Sequence, residues 1–312
     1  MKLSVLLIFT AFLNTLSFSQ NDRIYYDENW IEIKSSEKAF YYREIVETNK
    51  DGVVEVNDFY INGNIQMNGF YSDLESEVKH GHFTFYYKNG NVSYHGDYDK
   101  GAKVGKWVEF YESSQKKEEG NYEMMIDSTT KYFPINYWNK LGEQTLIEGN
   151  GTYYQNLSSF EDSVKQSGPM VNHKKEGVWK GEYKKSGYRF EETYKNDSLI
   201  SGTTTDINGK EYNYDLITVY PRHKKDMYKL ISENFMYPQA LIDSGVQGIV
   251  FIKLTIEKDG NVSDIKLIKG PHETLNKEAI RVTKLLKEWI PGKCRGVLTR
   301  MSFFLPIRLK IK

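Results

Sequence analysis

Few residues of this chain stand at spacings that chemistry would use. Residues 101–107, GAKVGKW, have the outline of a phosphate-binding loop, but the stretch is one residue short of Gly-x-x-x-x-Gly-Lys and continues with Trp107 rather than Ser or Thr. It reads as a turn. His80 and His82 would point two imidazoles to one strand face, yet no acidic or cysteine ligand stands at a recognisable spacing, so no metal is expected. Cys294, the single cysteine, cannot form an intramolecular disulfide. Lys293 and Arg295 flank it, but no His or acid partner completes a nucleophile. Glu191 and Glu192 are adjacent, so in a strand they face opposite ways and cannot share a substrate. Neither catalytic residues nor a cofactor is expected, and the chain reads as non-enzymatic.

What remains is the chemistry of an unpaired backbone. The last apolar stretch, VLTRMSFFLPIRLKI, places Phe303, Leu305, Ile307, Leu309 and Ile311 on one face and Pro306 on the other. A proline inside a strand is tolerated at a sheet edge, where its missing N–H is owed to no neighbour. Val297, Leu298, Thr299, Arg300, Met301, Ser302, Phe303 and Phe304 would then offer free N–H and C=O groups to an extended peptide, with alternate side chains giving selectivity. The same edge would serve a homodimer.

The elements around that strand can be read from periodicity. A helix within PRHKKDMYKLISENFMYP must stop before Pro238. GIVFIKLTIE alternates Val250, Ile252, Leu254 and Ile256, and Asp259-Gly260 turns the chain into NVSDIKLIKG, predicting a hairpin. Leu275, Ala279, Val282, Leu286 and Trp289 then recur at helical intervals.

The preceding two-thirds is repetitive. YINGNIQMNGFY at residue 60, YKNGNVSYHGDY at 87 and YESSQKKEEGNY at 111 each hold tyrosines eleven apart with glycine at the tenth position. Tyr183 and Tyr194 share the spacing, but Glu192 replaces the glycine. Gly81, Gly105 and Gly177 each begin a Gly-x-aromatic step. Every unit reads as strand, turn, strand, and hairpins this small must share a sheet to bury their aromatics. The 24 Tyr, 16 Phe and 5 Trp suit such strands. Lys plus Arg and Asp plus Glu balance at 42 each, which gives no basis for nucleic-acid binding. The balance hides a split: from residue 223 onward 17 basic residues face 9 acidic ones, leaving 25 against 33 before it.

The order helix, hairpin, helix, strand, with YPQALIDSGVQG, IEKDGNVSDIKLIKG, EAIRVTKLLKEWIPGK and FFLPIRLKI, closely resembles the C-terminal domain of TonB-family energy transducers. The resemblance implies a small α+β domain in which a three-stranded antiparallel sheet leaves its last strand at an edge. That edge would capture a short peptide of an outer-membrane receptor, with Tyr237 near the ligand. Residues 55 to 212 resemble the MORN-like repeats of the YwqK-type antitoxin-component family, which implies shape only. The expected fold is β-rich plus α+β, with an elongated antiparallel sheet of stacked hairpins before a TonB-like domain. Expected boundaries are 1–19 for a signal peptide, 20–54 for strands leading into the repeats, 55–215 for the repeats and 216–312 for the last domain.

The first segment, MKLSVLLIFTAFLNTLSFSQ, has Lys2, an apolar run from Leu3 to Leu16 and a small-x-small site before Gln20. It predicts export by a cleaved signal, hence a periplasmic binding protein whose partner is an outer-membrane TonB-dependent receptor or similar envelope protein. If the segment is kept, it predicts an inner-membrane-anchored TonB-type transducer, although only 7 Pro argue against the long proline-rich linker of that class. A third reading is a structural protein whose repeats bind glycan.

Overall fold

The computed structural model describes residues 23–48, 52–75, 77–158 and 162–311. The segment read as a signal peptide lies outside the described residues. The chain divides into two compact units, Met1–Gly151 and Thr152–Lys312.

In the first unit, antiparallel hairpins succeed one another: Val54–Tyr60 with Ile65–Asp73, Gly81–Tyr86 with Val92–Asp99, and Ala102–Phe110 with Lys116–Met124. The residues of the eleven-residue spacing have separable tasks. The first tyrosine of each pair ties hairpins together: the hydroxyls of Tyr60, Tyr87 and Tyr111 donate to the carbonyls of Tyr86, Phe110 and Trp138 at 2.8–2.9 Å. Phenylalanine could not make that bond. The second, Tyr71, Tyr98 or Tyr122, joins the aromatic core, where Phe83 and Trp107 meet Tyr98 edge-on at 4.9 and 5.2 Å. The glycine makes room for the next ring. A Cβ at Gly69, Gly96 or Gly120 would lie 2.2–2.3 Å from the rings of Phe83, Trp107 and Tyr132.

In the second unit, Ser163–Val171, Gly177–Tyr183, Arg189–Lys195, Ser198–Thr205 and Glu211–Tyr214 continue the antiparallel pattern. Trp179 is fully buried over Gly168, as Trp107 is over Gly96.

The C-terminal domain follows. Its elements are α1 (Met227–Asn234), α2 (Gln239–Asp243), β1 (Gly248–Ile256), β2 (Val262–Lys269), α3 (Glu273–Thr283) and β3 (Met301–Leu309). The Asp226 carboxylate caps α1 by accepting from the Lys229 N–H at 3.1 Å. The sheet order is β2-β1-β3, all antiparallel. Val250, Ile252, Leu254, Ile256, Leu305, Ile307 and Leu309 bury one sheet face against Leu275, Ala279 and Val282 of α3. Leu286 and Trp289 complete that stripe from beyond the helix. The helix ends at Thr283, and a turn carries both residues into the core. Among the described residues no helix is long and apolar enough to cross a membrane.

Candidate functional site

Strand β3 is the edge of its sheet. Met301 to Leu309 pair residue by residue with Ile256 to Gly248 on one side, and among the described residues no strand pairs with the other. Side chains alternate as the sequence predicts: Leu305, Ile307 and Leu309 are buried, Phe303 is half-buried against Trp289 with ring centroids 5.0 Å apart, and Ser302, Phe304, Pro306 and Arg308 are exposed. Phe304, an aromatic left 62% exposed, stands on the sheet's outer face opposite Lys253.

The stretch from Val297 to Phe304 is divided by the structure. Met301, Ser302, Phe303 and Phe304 belong to β3. Val297–Leu298 instead pairs with Lys293–Cys294 in a separate small sheet that also takes in Thr218–Val219. Thr299 and Arg300 connect the two. The Thr299 N–H donates to the Gly292 carbonyl at 3.0 Å, and Arg300 Nε to Glu257 Oε1 at 2.8 Å. Tyr237 lies elsewhere. Its hydroxyl donates to the carbonyl of Val246, close to Gly248, the partner of Leu309. Met301 pairs at the opposite end of β1, about 27 Å along the strand at roughly 3.4 Å per residue. Tyr237 therefore lines its own cleft of about 410 Å³ with Met236, Pro238, Lys277, Glu278 and Arg281.

The hairpin at 293–298 serves a contact that the sequence reading missed. Arg295 and Gly296 at its tip have φ of 48° and 79°, the left-handed pair of a type I′ turn. A Cβ on Gly296 would come within 3.1 Å of the Tyr212 carbonyl oxygen, so the approach to the last hairpins is tight. Arg295 Nε donates to Glu192 Oε1 at 2.7 Å, Nη1 to the Tyr183 hydroxyl at 3.2 Å and Nη2 to the Gln166 amide oxygen at 3.4 Å. Its guanidinium lies 3.9 Å from the Phe190 ring centre. Glu192, 0% exposed, also accepts the hydroxyls of Tyr194 and Tyr214, each at 2.8 Å. Burial works against the charge on Arg295, but the hydrogen bond and charge of Glu192 more than offset it and hold the guanidinium above its ordinary pKa. Cys294 sits at the rim, its Sγ 3.7 Å from the Tyr183 hydroxyl.

A signal for this arrangement was present. Each Gly-x-aromatic step is preceded two residues earlier by lysine: Lys79, Lys103 and Lys175. The Lys103 and Lys175 ammoniums lie 4.0 Å from the ring centres of Trp107 and Trp179. Burial lowers the pKa of all three, Lys175 to about 8. Cations over aromatics are thus a habit of the hairpins, and Glu192 in place of glycine marks where a second cation enters.

Residues 233–311 match the protein family described as Gram-negative bacterial TonB protein C-terminal. They form a TonB C-terminal domain. Among solved structures, the chain is similar to the Helicobacter pylori TonB C-terminal domain, determined by solution NMR for residues 179–285 and for residues 194–285 of that protein. Both are 26% identical over 28% of this chain; they are covered to 78% and 98%, with TM-scores of 0.22 and 0.24. No curated protein matches the chain. In this TonB C-terminal domain, the unpaired side of β3 and the docked hairpin at 293–298 are two different surfaces.

Proposed function

We propose that this is a non-enzymatic binding protein of the cell envelope, whose TonB C-terminal domain captures a strand-forming peptide of an outer-membrane transporter along β3. The observation that carries the reading is the unpaired side of β3, combined with the place of its proline. Pro306 stands opposite Phe251. A proline costs the ladder no bond when its nitrogen faces the free side. By the two-residue period of a strand, Ser302 and Phe304 then present their N–H and C=O groups to that same side. Pro306 has no N–H to offer, so capture would be confined to the Met301–Phe304 end, with Phe304 as the exposed aromatic contact. Hairpin repeats of the MORN-like kind would act as a platform for the domain, and a cleaved leader would place both in the periplasm.

The test is capture of receptors from outer-membrane extracts by the immobilised full chain and by two variants. Phe304→Pro removes an outward N–H and should abolish capture. Phe304→Ala keeps the backbone and should retain capture, weakened by loss of the ring. Equal capture by the wild type and a folded Phe304→Pro variant would refute edge pairing. Mass spectrometry of the mature N-terminus checks the location: a chain starting at Gln20 or Asn21 excludes the anchored transducer.

A further inference from the structure

The sheet of the C-terminal domain has two faces, and α3 packs on one of them. The other carries an unbalanced set of charges. By strand alternation Ile249, Phe251 and Lys253 of β1 point away from the buried face. The ladder sets Asp264, Lys266 and Lys269 of β2, and Phe304 and Arg308 of β3, on that same side. Among the strand residues of this face, Lys253, Lys266, Lys269 and Arg308 stand against one carboxylate, Asp264, and that acid already holds Lys266 at 3.4 Å. Beyond the end of β1, Glu257 is answered by Arg300 at 2.8 Å. Among the described residues, Lys253, Lys269 and Arg308 have no ion-pair partner. Lys269 instead lies over Phe251, 5.1 Å from the ring centre.

The placement of these cations works against the sheet. Lys253 and Lys266 are directly opposed across β1 and β2, a like-charge pair that destabilises the ladder. A face that served folding alone would alternate sign there. The cations are also spread in two dimensions. From β2 to β3 is two strand spacings, roughly 10 Å, and from the Lys253 row to the Arg308 row is four residues, roughly 14 Å. A single extended polyanion would be met by a stripe of charge along one line, whereas a patch of this extent matches a plane of negatively charged headgroups. Phe304 stands beside Lys253 in the patch, its side chain 62% exposed. An exposed ring among cations on long apolar stems is the composition that settles at the headgroup level of a bilayer.

We propose that this outer face of the C-terminal sheet is a docking surface for an anionic lipid bilayer, with Lys253, Lys266, Lys269 and Arg308 meeting the headgroups and Phe304 reaching between them. The face points perpendicular to the sheet, while the β3 edge offers its backbone within the plane of the sheet, so the proposal does not depend on peptide capture. The test is sedimentation of residues 20–312, which keep every described residue and omit the apolar first segment, with sucrose-loaded vesicles. One set holds phosphatidylglycerol and phosphatidylcholine in equal parts, and the other phosphatidylcholine alone. Binding should be saturable on the mixed vesicles, absent from pure phosphatidylcholine and lost at high salt. Each neutralised lysine should weaken it roughly fivefold, so the triple variant Lys253→Gln, Lys266→Gln, Lys269→Gln should bind roughly a hundredfold more weakly. Lys253→Gln alone separates function from folding: it relieves the opposed pair, so its thermal midpoint should hold or rise while its vesicle affinity falls. A fall in that midpoint would overturn the functional reading of the opposed pair. No binding to mixed vesicles, equal binding to pure phosphatidylcholine, or unchanged affinity of the triple variant would each overturn the proposal. So would binding of soluble dextran sulfate without vesicle binding, which would assign the face to an acidic polymer.

Discussion

Replacing Arg295 by alanine tests the principal link between the C-terminal domain and the hairpins before it. The side chains of Arg295 and Glu192 are 8% and 0% exposed, with Nε and Oε1 2.7 Å apart. Solvent therefore screens the pair little. Removing one member of a buried pair typically costs about 3–5 kcal/mol, because the other charge is left buried without its partner. Here Tyr194 and Tyr214 would still donate to Glu192, which places the expected loss near the lower end, while the lost contact with Phe190 adds to it. We expect Arg295→Ala to lower stability by about 3–4 kcal/mol in denaturant unfolding. Adding Glu192→Gln should recover part of that by removing the stranded charge. Cys294 gives an independent reading. It is the chain's single thiol and packs at the docked rim, so its reaction with a colourimetric disulfide reagent should be at least tenfold faster in Arg295→Ala than in the wild type. A loss below about 1 kcal/mol with unchanged thiol reactivity would refute the docking argument.

Two further outcomes test the repeat chemistry. Gly96→Ala places a Cβ 2.3 Å from the buried Trp107 ring, whereas Gly90→Ala meets nothing within 4 Å and suffers only from its φ of +89°. The first should cost about 3 kcal/mol or more and the second about 1–2 kcal/mol in thermal unfolding; equal losses would sink the seating role of the glycine. Burial pushes Lys175 down to about 8, against roughly 10.4 in the unfolded chain. Below pH 8 both states hold the proton and the full cost of the buried ammonium is present; between about pH 8 and 10.4 the unfolded state binds more protons, so this group's contribution rises with pH. The stability of Lys175→Met relative to wild type should therefore fall by about 2 kcal/mol between pH 7 and 10, and a pH-independent difference would contradict the assignment.

The C-terminal domain was legible because its signals are local. Alternation in residues 248–256 and 303–309 fixes which sheet face is buried, and Pro306 announces the edge. The extent of α3 was less legible, since a turn can keep Leu286 and Trp289 on the helical stripe after the helix has ended. The tyrosine and glycine spacing disclosed the hairpins, but not the division of labour between hydroxyl tie, core ring and ring seat. The residue that docks could not be read from spacing. Arg295 and Glu192 are 103 residues apart, and in PGKCRG the arginine was read only as a neighbour of a thiol. Only Glu192, standing where a glycine belonged, hinted that a charge would be answered from a distance.

Docking narrows how the domain can offer backbone to a peptide. With 293–298 folded into its own small sheet and its tip set into the hairpins, Val297 and Leu298 are held apart from β3, although the sequence makes them continuous with it. Arg300, tied to Glu257, marks the corner. The free edge therefore begins at Met301, and Pro306 removes a donor five residues later. A ligand strand that pairs there meets a short window, in which two outward N–H groups at Ser302 and Phe304 contribute about 0.5–1.5 kcal/mol each. Backbone pairing of that size cannot give tight capture alone. Affinity would have to come from side chains, and Phe304, exposed beside the sheet's lysines, is the residue placed to supply it.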